Sequence, residues 1–481
     1  MSLERLKRHQ RHITKRIIVR GTLILDTATC LGNGDTDSPT DLALLRDSIS
    51  DHALLAGSSI TGALRNYLRE YEQGYGVGEQ RRDMATSLFG SPRSDDKGEQ
   101  SPLIVHDAIS SKLPTIELRD GGKIDSIKRI AEEGAKYDLE LLAAGTTFPL
   151  YFELLIDGQD NKETQLKEAL TLALEGLKLG EISIGMKKRR GFGRSHVDKW
   201  QVWEFDLNNH SDRLAWLTFD RPWSEPYAKQ PNTSESIAEA LGVTPKQPDK
   251  RDRFSIQATF KLASSLLIRS GQDSTGCAPD VVHLRSHRDG QLEPVLSGTS
   301  LAGVLRHRAE RIVNTLGKHQ AIVKDLFGFV EEDSKQAKAS RLAVHESVIE
   351  NTADLVQNRI AIDRFTGGAS HGALFSEQPI FGSDETRLTL ELELRQPRKA
   401  EIGLLLLLLK DLWTSDLPVG GESSIGRGRL QGLKATMIRQ IPGEAIQNWT
   451  ISQDGERLQV SEADVDALEA FVSNFSGEVA A

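Results

Sequence analysis

The feature that most constrains this chain is an internal repeat with a period of about 240 residues. The eleven residues Leu55–Arg65 return as Leu296–Arg306 with six identities. Three shorter motifs return in the same order: Leu88-Phe89-Gly90 as Leu326-Phe327-Gly328, Val105-His106-Asp107 as Val344-His345-Glu346, and Gly185–Arg194 as Gly420–Arg429. Because four collinear matches at a nearly constant offset are not expected by chance, the chain is one domain present twice.

The length of the chain agrees with this interpretation, since 481 residues exceed what one ordinary core holds. We place the first domain at residues 1–219 and the second at 252–443. The segment between them, 220–251, carries five prolines among polar residues and is predicted to be a linker. The polar and acidic residues 444–481 are predicted to form a short appendage.

The hydrophobic pattern predicts the same order of elements in both copies. Strands are expected at Arg16–Leu25, Thr147–Ile156 and Trp200–Phe205, with counterparts at Phe254–Leu262, Thr386–Leu394 and Leu430–Ile438. Helices are expected at Ile60–Tyr71 and Gln165–Leu179, with counterparts at Leu301–Leu316 and Ile402–Leu412. The order indicates an α+β chain of two tandem ferredoxin-like (RRM-like, βαββαβ) domains. Long insertions at Gln73–Gln100 and Lys335–Ser376 are expected to be hairpins or loops.

Charge and apolar runs limit what the chain can bind. The net charge of −9 argues against a uniformly basic surface for nucleic acid, so any RNA site must be local. The longest apolar run, Leu404–Leu409, is far too short to span a bilayer, and no apolar stretch follows the basic N-terminus. Two cysteines suggest no disulfide framework. We therefore expect a cytoplasmic protein without a membrane partner.

Each repeated Gly-Ser/Thr-Ser motif precedes a helix and is a candidate phosphate site. The hydroxyl residues Ser58 or Ser59, and Thr299 or Ser300, are suited to cap the helix, and a capped N-terminus attracts anions. One further arginine on the same helix face offers a fork for phosphate. The RNA-binding candidates of this motif are Gly57, Ser58, Ser59 and Arg65 in the first copy, and Thr299, Ser300 and Arg306 in the second. A packed helix start with a surface arginine is the alternative interpretation.

The two glycine-rich loops share the spacing Gly-x5-Gly-x-Gly-Arg and follow a helix in both copies. Glycine turns can direct successive amides at an anion, and adjacent basic side chains would add charge. The RNA-binding candidates are Lys187, Lys188, Arg189, Arg190 and Arg194 in the first loop, and Arg427 and Arg429 in the second. A tight helix-to-strand turn with solvated lysines remains the alternative.

An aspartate stands at the same place in the loop after the first strand of each copy. Asp41 and Asp280 each precede a mostly apolar run that ends in Arg46 or Arg285. Beside RNA, such a carboxylate could hold a divalent cation or polarise a 2′-hydroxyl for in-line attack. A plain turn aspartate is the alternative.

These motifs together resemble the RAMP superfamily of CRISPR proteins, over about Ile17–Phe205 and Phe254–Ile438. The closest likeness is to the guide-backbone subunits of type III effector complexes, fused in pairs as in type III-D-like systems. The resemblance implies binding of guide crRNA and target RNA, assembly with other effector subunits, and metal-dependent cleavage of target RNA, with Mg²⁺ the expected cation. It implies that Asp41 and Asp280 are catalytic and bind the metal. It also implies a thumb that kinks the guide–target duplex, carried by Arg364 and Phe365 in the motif Ile362–Gly368.

Three other functions compete with this one. A guide-processing endoribonuclease of the same superfamily would use His106 or His345 without metal, although a structural histidine is a simpler interpretation. A scaffold could bind guide RNA without cutting it. A small-molecule enzyme on tandem ferredoxin-like domains would need a cofactor motif, and the sequence has none.

Overall fold

The computed structural model describes residues 12–34, 42–81, 83–91, 99–122, 124–125, 132–134, 136–158, 160–221, 228–270, 279–331, 336–371, 374–455 and 457–477. Within these residues the two sequence repeats form two domains of the same architecture. Each has an antiparallel sheet with its two crossover helices packed on one face. In the first domain the helix His210–Leu217 covers part of the other face. The repeat thus corresponds to a repeated structural unit.

The first domain and the segment after it contain nine strands and five helices among the described residues. The strands are β1 Lys15–Leu25, β2 Leu54–Leu55, β3 Leu103–Val105, β4 Ala108–Ile109, β5 Ile116–Gly121, β6 Tyr137–Leu142, β7 Thr147–Ile156, β8 Ser195–Asp206 and β9 Asn232–Ser234. The helices are α1 Gly57–Gln73, α2 Met84–Phe89, α3 Asp160–Lys178, α4 His210–Leu217 and α5 Ile237–Leu241.

The second domain repeats this order with longer insertions. Its strands are β10 Arg253–Leu262, β11 Arg269–Ser270, β12 Val281–His283, β13 Arg285–Arg288, β14 Gln291–Leu296, β15 Phe329–Val330, β16 Ala337–Lys338, β17 Leu342–Val344, β18 Ser347–Asp354, β19 Gln357–Arg359, β20 Phe375–Gln378, β21 Ile380–Arg395, β22 Leu430–Gln440, β23 Gln447–Asp454 and β24 Arg457–Gln459. Its helices are α6 Gly298–Thr315, α7 Ala321–Phe327, α8 Lys399–Trp413 and α9 Glu462–Gly477.

Strand order confirms the predicted ferredoxin-like fold class. In the first sheet the order is β3-β7-β1-β8, all antiparallel, and the helices α1 and α3 provide the two crossovers. In the second sheet β17, β21, β10 and β22 stand in the same order, with α6 and α8 as crossovers. This is the order of a βαββαβ unit in which the first and third strands are central.

Alternating side chains form the core of each domain. In β21 the side chains of Leu388, Leu390, Leu392 and Leu394 are all buried, as the alternation predicts. They pack against α8, whose apolar face includes Leu404, Leu405 and Leu408. The buried face of β21 fixes the register of this strand. The first sheet is also partly buried on its other face, where Ile18 and Phe205 pack with Ala215 of α4.

The connecting segment predicted as a linker is folded where it is described. Strand β9 pairs with β8, and the α5 side chains of Ile237, Ala240 and Leu241 are buried in the first core. The C-terminal appendage is also ordered: β23 and β24 extend the second sheet, and Phe475 of α9 is fully buried against the second core. Both domains are therefore widened at the same sheet edge by the chain that follows them.

Buried charges join the two domains. Arg119 of β5 pairs with Glu346, which also accepts from Arg288 at 2.6 Å. Glu117 of β5 accepts hydrogen bonds from the hydroxyl of Ser286 and the amide of His287 at 2.7 to 3.1 Å. Removing one partner of such a buried pair leaves an uncompensated charge, so these contacts fix how the domains dock.

Candidate functional site

The two helices that carry the repeated glycine motif begin earlier than predicted. They start at Gly57 and Gly298, and the residues before the first turn are Ala56 and Ser297. The prediction that Ser58 or Ser59 and Thr299 or Ser300 cap these helices is therefore wrong. In the first copy the amide of Gly57 donates to Asp107 at 2.6 Å, and in the second Ser297 accepts from the amide of Ser300. Capping is thus done by the Val-His-Asp motif and by the residue before the glycine.

Because they do not cap, the hydroxyl residues of the first turn are turned outward. Ser58, Ser59 and Thr299 are exposed, and Ser300 is half-buried. The positions still stand at a helix N-terminus, where amides and the helix dipole favour an anion. Their placement is compatible with the predicted phosphate contacts.

The arginines of these two helices make equivalent contacts, each within its own domain. Arg65 pairs with both oxygens of Glu79 at 2.7 and 2.8 Å and reaches the carbonyl of Phe89. Arg306 pairs with Glu310 and donates to the carbonyl of Gly328 at 3.2 Å. Both therefore tie the helix to the repeated Leu-Phe-Gly turn, a role that the sequence repeat did not identify.

The glycine-rich loop of the first domain lies on the helix start of the second domain. A Cβ atom at Gly298 would be 2.4 Å from the carbonyl oxygen of Arg190, and one at Gly191 would be 2.3 Å from the amide nitrogen of Glu346. Arg189 donates to the carbonyl of Ser340 at 2.7 Å. Glycine is required at both points because the two backbones touch. The structure thus brings two predicted RNA-binding motifs together across the domain boundary.

Arg190 is a cation of this junction that has no carboxylate partner among the described residues. It donates to the carbonyl of Phe327 at 3.4 Å, and its Nη1 is buried without a hydrogen-bond partner among the described residues. Burial and the nearby Arg306 lower the pKa of Arg190. Lys188 in the same loop and Thr299 in the first turn of α6 are exposed. A guanidinium without a carboxylate partner, in a loop whose backbone contacts the start of α6, is an environment that an anion would stabilise.

The remaining basic residues of the first loop have partners of other kinds. The Lys187 ammonium lies 3.8 Å from the centre of the Tyr137 ring, a cation–π contact. Arg194 pairs with Glu391 of the second domain at 2.6 Å. Both contacts are partly exposed, so RNA could compete for these side chains.

In the second glycine-rich loop the two predicted arginines differ in burial. Arg429 is exposed and donates to the carbonyl of Ser415. The side chain of Arg427 is only 4% exposed and pairs with Glu377 at 2.8 Å and with Glu422. Because its guanidinium is already enclosed by these carboxylates, Arg427 is not placed to contact RNA directly, contrary to the prediction.

Asp280 lies at the start of β12, on the outside of the second domain. Its Oδ2 accepts hydrogen bonds from the amide and the hydroxyl of Ser376, at 2.7 and 3.1 Å. These two donors lower the pKa of Asp280, so the carboxylate is ionised at neutral pH. A carboxylate held in this state is a poor base but a good ligand for a cation.

The first-copy counterpart, Asp41, lies outside the described residues. Its neighbour Leu42 forms a parallel bridge with Leu139, as Val281 does with Glu377 in the second domain. This matching register supports the sequence alignment of Asp41 with Asp280. The position that corresponds to Ser376 is Asp138, so the two sites differ chemically.

The segment predicted as a thumb is a hairpin whose stem touches Asp280. Strands β19 and β20 form the stem, with Asn358 opposite Ser376. At the tip, Asp363 accepts from the amides of Phe365 and Thr366 and so closes a turn. Arg364 is exposed, and Phe365 is 99% exposed. Ile362 and Leu374 are exposed too, which gives the hairpin an apolar tip that a monomer does not need.

The donor set fits a divalent cation only in part. Among the described residues no three His, Cys, Asp or Glu side chains are grouped as metal ligands. Asp280 offers Oδ1, which has no partner among the described residues, since both hydrogen bonds end on Oδ2. Mg²⁺ is often held by one or two carboxylates together with waters and substrate phosphates. The site is suited to a cation that RNA helps to bind.

The two repeated histidines have structural surroundings. His106 packs edge-on against Tyr151, with ring centres 4.5 Å apart. His345 is half-buried, and burial together with Arg194 lowers the pKa of its imidazole. Neither arrangement indicates an acid–base pair. No helix in the described part of the chain is long and apolar enough to cross a membrane.

Comparison with known proteins agrees with the repeated fold. A sequence model of the RAMP superfamily matches residues 22–196 and again residues 259–431. The chain is also similar to the CRISPR system Cms endoribonuclease Csm3 of Streptococcus thermophilus, with 27% identity over 187 residues. That match covers 36% of this chain and 84% of the relative. Both domains carry the family pattern, and the chain belongs to the RAMP superfamily.

Proposed function

We propose that this chain is a backbone subunit of a type III CRISPR effector complex, where it binds guide crRNA and cleaves complementary target RNA. The observation that carries the proposal is the arrangement around Asp280. An exposed, ionised carboxylate stands at the stem of an apolar-tipped hairpin in a RAMP domain. Similarity to a CRISPR endoribonuclease supports the same activity.

Guide RNA is proposed to run over the domain junction. This junction contains the exposed Lys188, the first turn of α6 with Thr299, and Arg190, whose Nη1 has no hydrogen-bond partner among the described residues. A phosphate there would compensate Arg190 and accept from helix amides. Binding through a few fixed phosphate contacts fits a chain whose net charge is −9.

Cleavage is proposed to proceed by attack of a target 2′-hydroxyl on its own phosphate. The 2′-oxygen forms a bond to phosphorus while the bond to the 5′-oxygen breaks, which yields a 2′,3′-cyclic phosphate and a 5′-hydroxyl. A divalent cation, when bound, would stabilise the charge that develops on the phosphate. Asp280 would hold that cation, and Ser376 keeps its carboxylate ionised and oriented. Asp41 is proposed to act likewise in the first domain.

The hairpin tip is proposed to open the stacked duplex beside the cut. Phe365 and Ile362 are exposed apolar side chains at that tip. Apolar wedges inserted between bases unstack them, and an unstacked nucleotide can rotate its 2′-hydroxyl into line with the phosphate. Arg364 at the same tip would contact the displaced backbone.

Assembly with other subunits is proposed to reuse the domain junction. In the second domain Ala343 of β17 is 6% exposed beneath the first-domain loop, whereas its counterpart Ile104 of β3 is 40% exposed. The glycine-rich loop of the first domain covers β17 of the second domain. The equivalent surface of the first domain, at β3, is left exposed. A further RAMP domain carrying an equivalent loop is the partner that this surface fits.

The test is cleavage by the reconstituted, guide-loaded complex with Mg²⁺, and again with a chelator. We expect Asp280→Ala to lose a cut while guide affinity stays unchanged, and the chelator to stop cleavage. Cleavage that continues in the chelator would favour the histidine mechanism. If the Asp280→Ala variant still makes every cut that the wild type makes, the proposed role of this carboxylate is wrong.

A further inference from the structure

A buried cluster of charges lies beneath the thumb stem, on the side opposite Asp280. Glu377 of β20 is fully buried and pairs with Arg427 at 2.8 Å and with Arg359 of β19 at 3.1 Å. Glu422 of the glycine-rich loop also pairs with Arg427 and with Arg359. The cluster therefore joins both strands of the thumb stem to the loop that follows α8.

Neighbouring residues of β20 connect this cluster to the proposed site. Ser376 and Glu377 are adjacent in a strand, so their side chains point to opposite faces. Ser376 faces outward and binds Asp280, whereas Glu377 faces inward and binds Arg427. The amide of Gln357 extends the contact, since its Oε1 accepts from Arg427 at 2.7 Å. Any shift of the buried pair would move the donor that orients Asp280.

The first domain has an apolar contact at the same place. Leu139 occupies the register position of Glu377, and Phe192 occupies the loop position of Arg427. Both are buried in one small cluster with Cys30 and Leu141. The fold thus tolerates an apolar pair at this position, and stability alone does not require the ion pair. The charged pair occurs in the domain where Ser376 binds the proposed site carboxylate of Asp280.

We propose that Arg427 and Glu377 are positioning residues that fix the thumb stem and, through Ser376, the carboxylate of Asp280 for cleavage at the second-domain site. This inference rests on the proposed function. Arg427 acts from within the domain and touches neither RNA nor the cation. Its pairing with Glu422 makes the glycine-rich loop part of the same rigid unit.

The experiment exchanges the second-domain pair for the first-domain pair, Arg427→Phe with Glu377→Leu, in the guide-loaded complex. We expect the second-domain cut to slow by about tenfold or more, because small displacements of reacting groups cost this much. The first-domain cut, guide affinity and melting temperature should stay unchanged. Arg427→Lys, which keeps one ion pair with Glu377, should retain more of the cut than the double exchange.

A matched control removes an ion pair of the same domain away from the thumb. Arg308 pairs with Asp411 at 2.6 Å between α6 and α8, and Arg308→Met with Asp411→Leu should leave both cuts intact. An unchanged second-domain cut after the Arg427–Glu377 exchange overturns the inference, as does loss of both cuts together with a lower melting temperature. Asp280→Ala, run in parallel, separates the two proposals: if it too leaves the cut intact, the proposed function is wrong as well.

Discussion

Replacing Arg190 by glutamine should weaken guide RNA binding without lowering the stability of the RNA-free chain. Arg190 has no carboxylate partner, one of its nitrogens is buried without an acceptor, and burial and Arg306 lower its pKa. Removing this charge should therefore leave the unfolding free energy of the RNA-free chain unchanged within about 0.5 kcal/mol, or raise it. Losing a charge-assisted contact to phosphate should cost about 1.5–3 kcal/mol of guide binding, or roughly 10- to 150-fold in Kd.

Two measurements check this prediction. Denaturant unfolding of the purified chain gives its stability, and titration with labelled guide RNA at several salt concentrations gives Kd and the number of phosphates contacted. The salt slope should fall by about 0.7 when one single-strand phosphate contact is lost. The comparison is Arg119→Gln, which leaves Glu346 buried without its main partner and should cost about 3 kcal/mol of stability. Unchanged guide affinity with Arg190→Gln, or a stability loss like that of Arg119→Gln, would refute the reasoning.

Three further predictions concern the second and first domains. His283 is buried and its pKa is lowered to about 4, so between pH 4 and about pH 6.5 the unfolded chain binds more protons than the folded one. The free energy of unfolding should therefore fall as pH falls through this window, by about 2 kcal/mol at pH 5. Urea titrations should show this fall in the wild type and not in His283→Gln. Phe365→Ala should slow the second-domain cut about tenfold or more in single-turnover assays while the melting temperature of the complex is kept, because the side chain is exposed; an unaltered rate would argue against a wedge. Ile104→Glu should weaken assembly measured by mass photometry and leave the monomer folded, whereas normal assembly would exclude β3 as an interface.

The fold was predictable because its strongest signals are local and repeated. The alternation in β21 and the apolar face of α8 can be read from the sequence. The bounds of α8 agree with the structure to within three residues, whereas β21 begins six residues before the predicted start. The cap of α1 was not predictable, because the group that binds the Gly57 amide is Asp107, fifty residues further along the chain. The packing of α5 was also missed, since three apolar residues among prolines give little periodic signal.

The sequence nominates residues for the candidate site, but it does not predict their contacts. The repeat alone aligns Asp41 with Asp280, but it does not show that Ser376 binds Asp280 across an insertion. The burial of Arg427 could have been inferred, because the aligned residue is Phe192 and an aromatic side chain in a glycine-rich loop is commonly buried. Contacts between domains, such as that of Arg190 with Phe327, leave no local pattern in the sequence, so only the structure identifies them.

The most direct test of the account maps the cuts that a reconstituted, guide-loaded complex makes in an end-labelled complementary RNA with Mg²⁺. Wild type is compared with Asp41→Ala, Asp280→Ala and the double variant. The account predicts that each single variant loses one distinct cut, that the double variant loses both, and that all four bind the target equally. Unchanged cuts with all variants bound to target would contradict it and would make the chain a guide-holding scaffold.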